Sequence, residues 1–363
     1  MKRKFYHQLA DQSITKKLMS KDIAEQIIRS PEVELMPLLN AAYEVRKALV
    51  GKQVTIHIIN NTQNGYCPED CHYCVQAKSS KADIAEYPLK SDQEIMTEAK
   101  NAYEKGAHRY CMVFAGRGPS EKRIDHLAGL IKDIKKQYAI EVCVSAGLLD
   151  QNKAKTLKEA GLDRLNHNLN TSAQHYPKIC TTHTYEDRLQ TLSAARQVGL
   201  QLCSGVILGM GEKAEDILEM VYTLSEMKVE SIPVNFYIPI KGSQLGEIRS
   251  LSPEYCLRVL CLYRFLNPSA EIRIAAGREI HLRSMEVMAL YPANSLFLDG
   301  YLNAKGGGRA KTFQMIKDAG FTIESDHSLE DLLLNEESSY TQDCVDQATK
   351  VRTKDLSELR PHL

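Results

Sequence analysis

The chain has 363 residues, and its 46 lysines and arginines balance 46 aspartates and glutamates to a formal net charge of zero. Such a balance gives no electrostatic attraction to nucleic acid or to an anionic membrane, and no apolar run is long enough to span a bilayer. A small-molecule substrate suits the composition better, and the length suits one large α/β barrel with terminal extensions.

The N-terminus, Met1 to Phe5, is basic but continues into polar sequence rather than the apolar core of an export signal, which predicts a cytoplasmic protein. Ten cysteines in that compartment are reduced thiols. Residues 1–50 read as a helical extension. Ser20 caps a segment through Ile27 and Ile28, and a second helix from Val33 to Leu49 is ended by Gly51. From Val54 onward short apolar runs alternate with amphipathic segments. The runs are Val54 to Ile59, Arg109 to Phe114, Glu141 to Ser145, Arg164 to Leu169, Gln201 to Leu208, Ile232 to Ile238, Glu271 to Ala275 and Ser295 to Leu298. Gly106, Gly161 and Gly199 each end a helical stretch just before a strand, and Thr184 and Ser252 read as N-caps. Eight such units predict a (β/α)8 TIM-type barrel over 51–322, with its site at the C-terminal ends of the strands. Residues 323–363 form an acidic and polar tail in which no chemistry is evident.

The loop after the first strand holds Cys67-Pro68-Glu69-Asp70-Cys71-His72-Tyr73-Cys74. Three thiols this close repel one another as thiolates unless a metal centre takes up their charge, and soft sulfur selects zinc, copper(I) or iron-sulfur clusters. Structural zinc usually closes a four-ligand tetrahedron, whereas a 4Fe-4S cube on three thiolates keeps one iron open. A zinc knuckle and a Cys71-x-x-Cys74 redox pair are the alternatives at this point. The spacing resembles the signature of the radical S-adenosylmethionine (SAM) enzymes. That resemblance implies a 4Fe-4S cluster on Cys67, Cys71 and Cys74 whose open iron chelates SAM.

Parallel barrel strands are normally apolar, yet these carry Cys111, Cys143, Asn166 and Asn168, Cys203, Asn235 and Arg273. Any one of the cysteines can be a small core residue, but an arginine charge is not buried unpaired. Cys180, Cys256, Cys261 and Cys344 match no pattern and read as core thiols.

The segments Tyr110-Cys111-Met112, Val142-Cys143-Val144, Asn166-His167-Asn168-Leu169, Cys203-Ser204-Gly205, Gly209-Met210-Gly211-Glu212, Pro233-Val234-Asn235 and Arg273 to Glu279 resemble those of the biotin synthase family in order and interval, over roughly residues 40–320. The resemblance implies a second cluster, usually 2Fe-2S, held by Cys111, Cys143, Cys203 and Arg273 and acting as sulfur donor, with Arg278 the alternative arginine. It implies that Asn166, Asn168 and Asn235 meet SAM and the ureido ring of dethiobiotin, that Arg188 meets the SAM carboxylate, and that Tyr73, Asn170, Gly209 and Gly211 lie by the cofactor. Many relatives have an aspartate where Asn170 stands, and some have two threonines at the substrate carboxylate where this chain has Asn303-Ala304. A homodimer and an electron donor of flavodoxin or ferredoxin type follow from the same resemblance. Two other readings stand beside it: a related radical SAM barrel, like a hydrogenase maturase or methylornithine synthase, and a non-catalytic zinc or redox-sensing protein.

Overall fold

The fold is that of a computed structural model, which describes residues 3–246 and 251–336. Three helices open the chain: α1 (Arg3–Ile14), α2 (Lys21–Arg29) and α3 (Leu35–Leu49). Ser20 Oγ accepts the Ile23 N–H at 3.4 Å, so it caps α2 as its side chain suggests. Past the end of α3, Gly51 takes the left-handed φ of 86° that stops a helix without strain. The layer is fastened to the barrel by Arg46, whose fully buried guanidinium donates to the carbonyls of Leu290, Ala293 and Gln53. Its methylene stem and charge also lie over the Phe321 ring.

The barrel strands are β1 (Gln53–Gln63), β2 (Arg109–Phe114), β3 (Glu141–Ser145), β4 (Arg164–Asn166), β5 (Gln201–Cys203), β6 (Val206–Leu208), β7 (Ser231–Phe236), β8 (Glu271–Ile274) and β9 (Ser295–Leu298). All pair in parallel, and β9 returns to β1 from Thr55–Ser295 to Ile58–Leu298, so the sheet is closed. β5 and β6 together form one stave, which makes eight staves as expected. Helices α4 (Asp92–Glu104), α5 (Glu121–Gln137), α6 (Gln151–Glu159), α7 (Tyr185–Gln197), α8 (Ala214–Glu226) and α9 (Pro253–Leu266) cover the outside. Thr184 and Ser252 cap α7 and α9.

Alternation along the strands sorts the two faces. Ile56, Ile58, Tyr110, Met112, Val142, Val144, Ile272 and Ile274 belong to the large apolar core between sheet and helices. Each such fully buried side chain contributes about 1.5–3 kcal/mol. Their neighbours His57, Arg109, Cys111, Glu141, Cys143, Glu271 and Arg273 therefore point into the barrel. Cys111, Cys143 and Cys203 form a separate buried group with Ala275 and Phe297.

Two strands depart from expectation where the chain must open a site. β4 stops at Asn166 because the next residues bend to bond the gap in the neighbouring stave: the His167 N–H donates to the Cys203 carbonyl and the Asn170 N–H to that of Gly205. The stave Gln201 to Leu208 breaks at Ser204-Gly205, where a Cβ on Gly205 would lie 1.9 Å from the Pro233 carbonyl oxygen.

α10 (Arg278–Leu282) lies between β8 and β9, and after β9 come a hairpin of β10 (Gly300–Tyr301) and β11 (Ala304–Lys305), α11 (Arg309–Asp318) and β12 (Thr322–Ile323). β12 pairs in parallel with Gln53 and Val54, so the boundary drawn from composition at 322 falls inside a strand. Residues 329–336 are helical and bury Leu329, Leu332 and Leu333 against the barrel. The remainder of the tail, with Cys344, lies outside the described residues.

Gly205→Ala is expected to destabilise the reduced, full-length protein by about 1–3 kcal/mol, as overpacking does. Urea denaturation reads this directly, and an unchanged midpoint would show that β7 is free to move away.

Candidate active site

The barrel interior is layered. Lowest is a charge cluster centred on Glu271, whose Oε2 accepts from Arg109 at 3.0 Å and Arg164 at 2.9 Å. Its Oε1 accepts from Ser231 at 3.0 Å, lies 2.8 Å from His57 Nε2 and also accepts from Arg273. Burial alone would raise the Glu271 carboxyl, but His57 and the three guanidiniums overcome it and hold the group well below the carboxylate range. His57 is pushed down as well, chiefly by burial and then by Arg273.

Directly above lie the inner thiols. Cys111 and Cys143 are register partners on β2 and β3, and Cys203 is the partner of Asn166. The Cys143 thiol hydrogen-bonds to both Cys111 and Cys203. Arg273 Nη1 is 3.7 Å from Cys203 Sγ, and the guanidinium stacks 4.9 Å over the Phe297 ring. The thiol of Cys111 is lowered by its bond from Cys143 against the cost of burial, with Arg273 and Arg109 assisting. Three converging thiols and an arginine, all buried over a cationic floor, fit an anionic iron-sulfur centre by the chemistry of their donors. A small cavity of about 20 Å³ lies among them.

The next layer is amide. Asn166, Asn168 and Tyr301 line both that cavity and a larger one of about 270 Å³ above it. Asn166 donates to Cys203 Sγ at 3.2 Å and to Asn168 Oδ1, which also accepts the Gly205 N–H at 3.0 Å. Asn235 donates to the Val206 carbonyl and accepts from the Ala276 N–H, and it too faces the larger chamber.

Cys67, Cys71 and Cys74 line the opposite wall of that chamber. Their loop is pinned to the segment before α7. The His72 N–H donates to the Ile179 carbonyl at 2.8 Å, Glu69 accepts from Thr182 and His183, and Asp70 accepts from the Thr181 and Thr182 amides. These bonds outweigh the effect of burial and hold both carboxyls below their usual range. Burial pushes the Cys74 thiol up to about 11 and raises Cys67, so metal loading must release thiol protons.

Arg188 crosses the chamber wall, buried, with bonds to Tyr176, the Asn168 carbonyl, Tyr73 and His183 Nε2. Among the described residues no carboxylate forms an ion pair with it. A buried guanidinium without a counter-charge is suited to an anionic ligand group. Tyr73 is also bonded by Asn170 Nδ2 at 2.6 Å, and Asn170 sits at a left-handed φ of 68°, which its short amide tolerates.

Asn303 and Ala304, on the hairpin, reach the chamber wall, and Asn303 exchanges two amide bonds with Asn64 at 2.9 and 3.0 Å. The Gly307 N–H is taken by Glu279 rather than free for an anion. Gly209 and Gly211 do not line the chamber. The Gly209 and Met210 amides are capped by Glu212, so this turn is held back from the space where a cofactor fits. Arg278 is paired with Glu286 and stands apart from the inner thiols. Cys256 and Cys261 are core residues of α9, as expected, but Cys180 is not a mere filler. It touches Cys71, Asp70 and His183. Glu69, Asp70, Thr182 and His183 were not legible as site residues in the sequence. The acidic pair inside the cysteine loop was the one available signal, because two adjacent carboxylates in a thiol-rich loop need donors.

The Radical SAM superfamily model matches residues 64–224, and that of the Biotin and Thiamin Synthesis associated domain matches 233–322. The barrel with its three-cysteine loop thus defines a radical SAM enzyme, which uses a 4Fe-4S cluster and SAM. Solved structures of a methylornithine synthase (TM-score 0.75, 19% identical, covering 89% of this chain and 98% of that one) and of the FeFe-hydrogenase maturase HydG from Carboxydothermus hydrogenoformans (0.76, 17%, 94% and 86%) share the fold. At those identities the likeness extends to the fold alone. Biotin synthases from Magnetococcus marinus and Acaryochloris marina are 55% and 54% identical over 316 and 303 residues, which is 87% and 84% of this chain and 98% and 88% of theirs. The chain belongs to the biotin synthase family. Its reaction is the radical insertion of sulfur into dethiobiotin.

Glu271→Gln leaves Arg164 and Arg273 without a carboxylate and Arg109 with Glu141 alone, and the loss expected for breaking such buried pairing is about 3–5 kcal/mol. Because the folded carboxyl lies below its unfolded value near about 4.3, its contribution is full above that pH and fades as pH falls through the folded value. Acid titration of the thermal midpoint should therefore show a steeper loss for the wild type than for Glu271→Gln, and parallel curves would remove Glu271 from its central place.

Proposed function

We propose that Cys67, Cys71 and Cys74 hold the 4Fe-4S cluster, that Cys111, Cys143, Cys203 and Arg273 hold a 2Fe-2S cluster, and that SAM and dethiobiotin lie between them. The observation that carries this reading is the shared wall: Asn166, Asn168 and Tyr301 border both the outer chamber and the inner cavity, so one set of thiols faces the other across a single amide layer. When bound, the outer cluster supplies the electron that cleaves SAM to a 5′-deoxyadenosyl radical, and the inner cluster supplies the sulfur.

The chain's own residues then have defined tasks. Arg188, buried and without a carboxylate partner among the described residues, receives the SAM carboxylate. Tyr73 and Asn170, already bonded to each other, border the rest of the cofactor. Asn166, Asn168 and Asn235 offer both donors and acceptors to a ureido ring and aim it at the inner thiols. Asn303 stands at the chamber wall where the substrate's carboxylate tail ends. The chamber lining is mostly apolar, which limits water and quenching groups around a reactive carbon centre. Arg273 is held by Glu271, Ser231 and Ser295, so its Nη1 is presented to Cys203 in one orientation.

The family resemblance adds a homodimer and a flavodoxin- or ferredoxin-type electron donor in the cytoplasm. No described helix is long and apolar enough to cross a membrane. Among the described residues, the helices before residue 51 and the stretch 323–336 pack into the core of the barrel as extensions of it.

After anaerobic reconstitution, Cys203→Ala should retain reductive SAM cleavage and form no biotin, whereas Cys71→Ala should lose both, with iron and sulfide analysis showing which cluster is missing. Equal loss of SAM cleavage in the two variants would defeat the division of roles. Asn170→Asp should tighten SAM binding several-fold by equilibrium dialysis, since a carboxylate is the stronger acceptor for a ribose hydroxyl. Weaker binding would place Asn170 away from the ribose.

A further inference from the structure

A fourth thiol stands at the mouth of the barrel. Cys180 follows the short turn Tyr176–Lys178, and its Sγ lies 3.7 Å from Cys71 Sγ. His183 is the third member: its Nε2 is 3.8 Å from Cys180 Sγ, and single donor atoms of all three buried residues lie within 4.8 Å of one another. In a tetrahedral site with metal–sulfur bonds of about 2.3 Å and metal–nitrogen bonds of about 2.0 Å, the sulfur–sulfur edge is about 3.8 Å and the sulfur–nitrogen edge about 3.5 Å. The two edges at Cys180 thus agree with such a site to within a few tenths of an ångström.

The surroundings have the form that metal-ligating histidines require. His183 Nδ1 lies 2.5 Å from Glu69 Oε2 and 3.3 Å from Cys180 Sγ, a carboxylate–imidazole pairing that fixes the ring beside the thiols and leaves Nε2 as the nitrogen without a carboxylate. Nε2 now accepts from Arg188 at 2.8 Å, and Arg188 has three further partners in Tyr176, Asn168 and Tyr73 when it releases the ring.

We infer that the protein without its clusters binds one soft divalent cation, of the Zn²⁺ or Fe²⁺ class, on Cys71, Cys180 and His183. Binding forms two metal–sulfur bonds and one metal–nitrogen bond, releases two thiol protons to solvent and involves no change of oxidation state. The inference rests on the cluster assignment in one respect: Cys71 is common to both sites, so cation and 4Fe-4S cluster exclude each other. Zinc would block loading of the cluster, and ferrous iron would arrive beside the loop that receives it.

The test is titration of the full-length, reduced, cluster-free protein with Co²⁺ under anaerobic conditions, followed by its thiolate charge-transfer absorption. Cys180→Ser and His183→Gln should each remove one tightly held cobalt ion or weaken it at least tenfold, whatever the inner thiols bind. Cys67→Ser should leave that ion in place. Thermal melts of each variant establish that it is folded, and His183→Gln, which keeps both thiols, covers the case in which Cys180→Ser is not. Prior zinc should slow 4Fe-4S reconstitution of the wild type at least tenfold more than that of Cys180→Ser. An ion lost in Cys67→Ser but kept in Cys180→Ser belongs to the three-cysteine loop and overturns the inference, as does a Cys71–Cys180 disulfide in place of metal binding. SAM cleavage by reconstituted Cys67→Ser tests the cluster assignment separately, so either reading can fail alone.

Discussion

A single buried carboxylate, Glu271, organises the floor of this barrel. Arg109 on β2, Arg164 on β4 and Arg273 on β8 all turn toward it, and His57 from β1 joins them. Without that negative charge, three guanidiniums inside a closed sheet would repel one another at a desolvation cost that the apolar core has little means to offset. With it, the inner face of the sheet can be polar and still rigid. Everything above the floor depends on this. Arg273 keeps one guanidinium nitrogen for Cys203 because its others are already occupied.

The same arrangement separates two chemistries that would interfere in open solution. The inner thiols lie on strands, at register positions the sheet dictates, while the outer thiols lie on a loop held by Glu69 and Asp70. Rigid strands hold a site that must keep its shape, and a loop closed by side-chain bonds holds a site that must admit a cofactor. Between them lies a layer of amide side chains, Asn166 and Asn168, which suits a neutral ring.

The staves β2, β3 and β9 were legible to the residue, as short apolar runs set between amphipathic segments. The cysteines on β2 and β3 were legible as inward-facing only through family resemblance, since alternation alone leaves the choice of face open. β4 read as longer than it is, and the β5–β6 stave as unbroken. Asn168 and Gly205 bond across the gap between them, a tertiary interaction that local preference does not encode. β12 went unseen because two residues carry too little pattern, although pairing with Gln53 and Val54 is enough to order them. Cys180 was misjudged for the opposite reason. It is isolated in sequence, and tertiary bonds bring it against Cys71: that from His72 to Ile179 and those of Glu69 and Asp70 to Thr181, Thr182 and His183.

One modest contact at the rim has a wider meaning. The hairpin that walls the chamber is tied to the start of the cysteine loop by the reciprocal amides of Asn64 and Asn303. Neutral amide bonds exchange with water at a net cost of only about 1 kcal/mol each. This tie carries no charge, whereas the base of the same hairpin is held by ion pairs of Asp299 with Lys105 and Arg309. Salt therefore weakens the root of this wall and leaves untouched the amide tie that joins its tip to the cysteine loop.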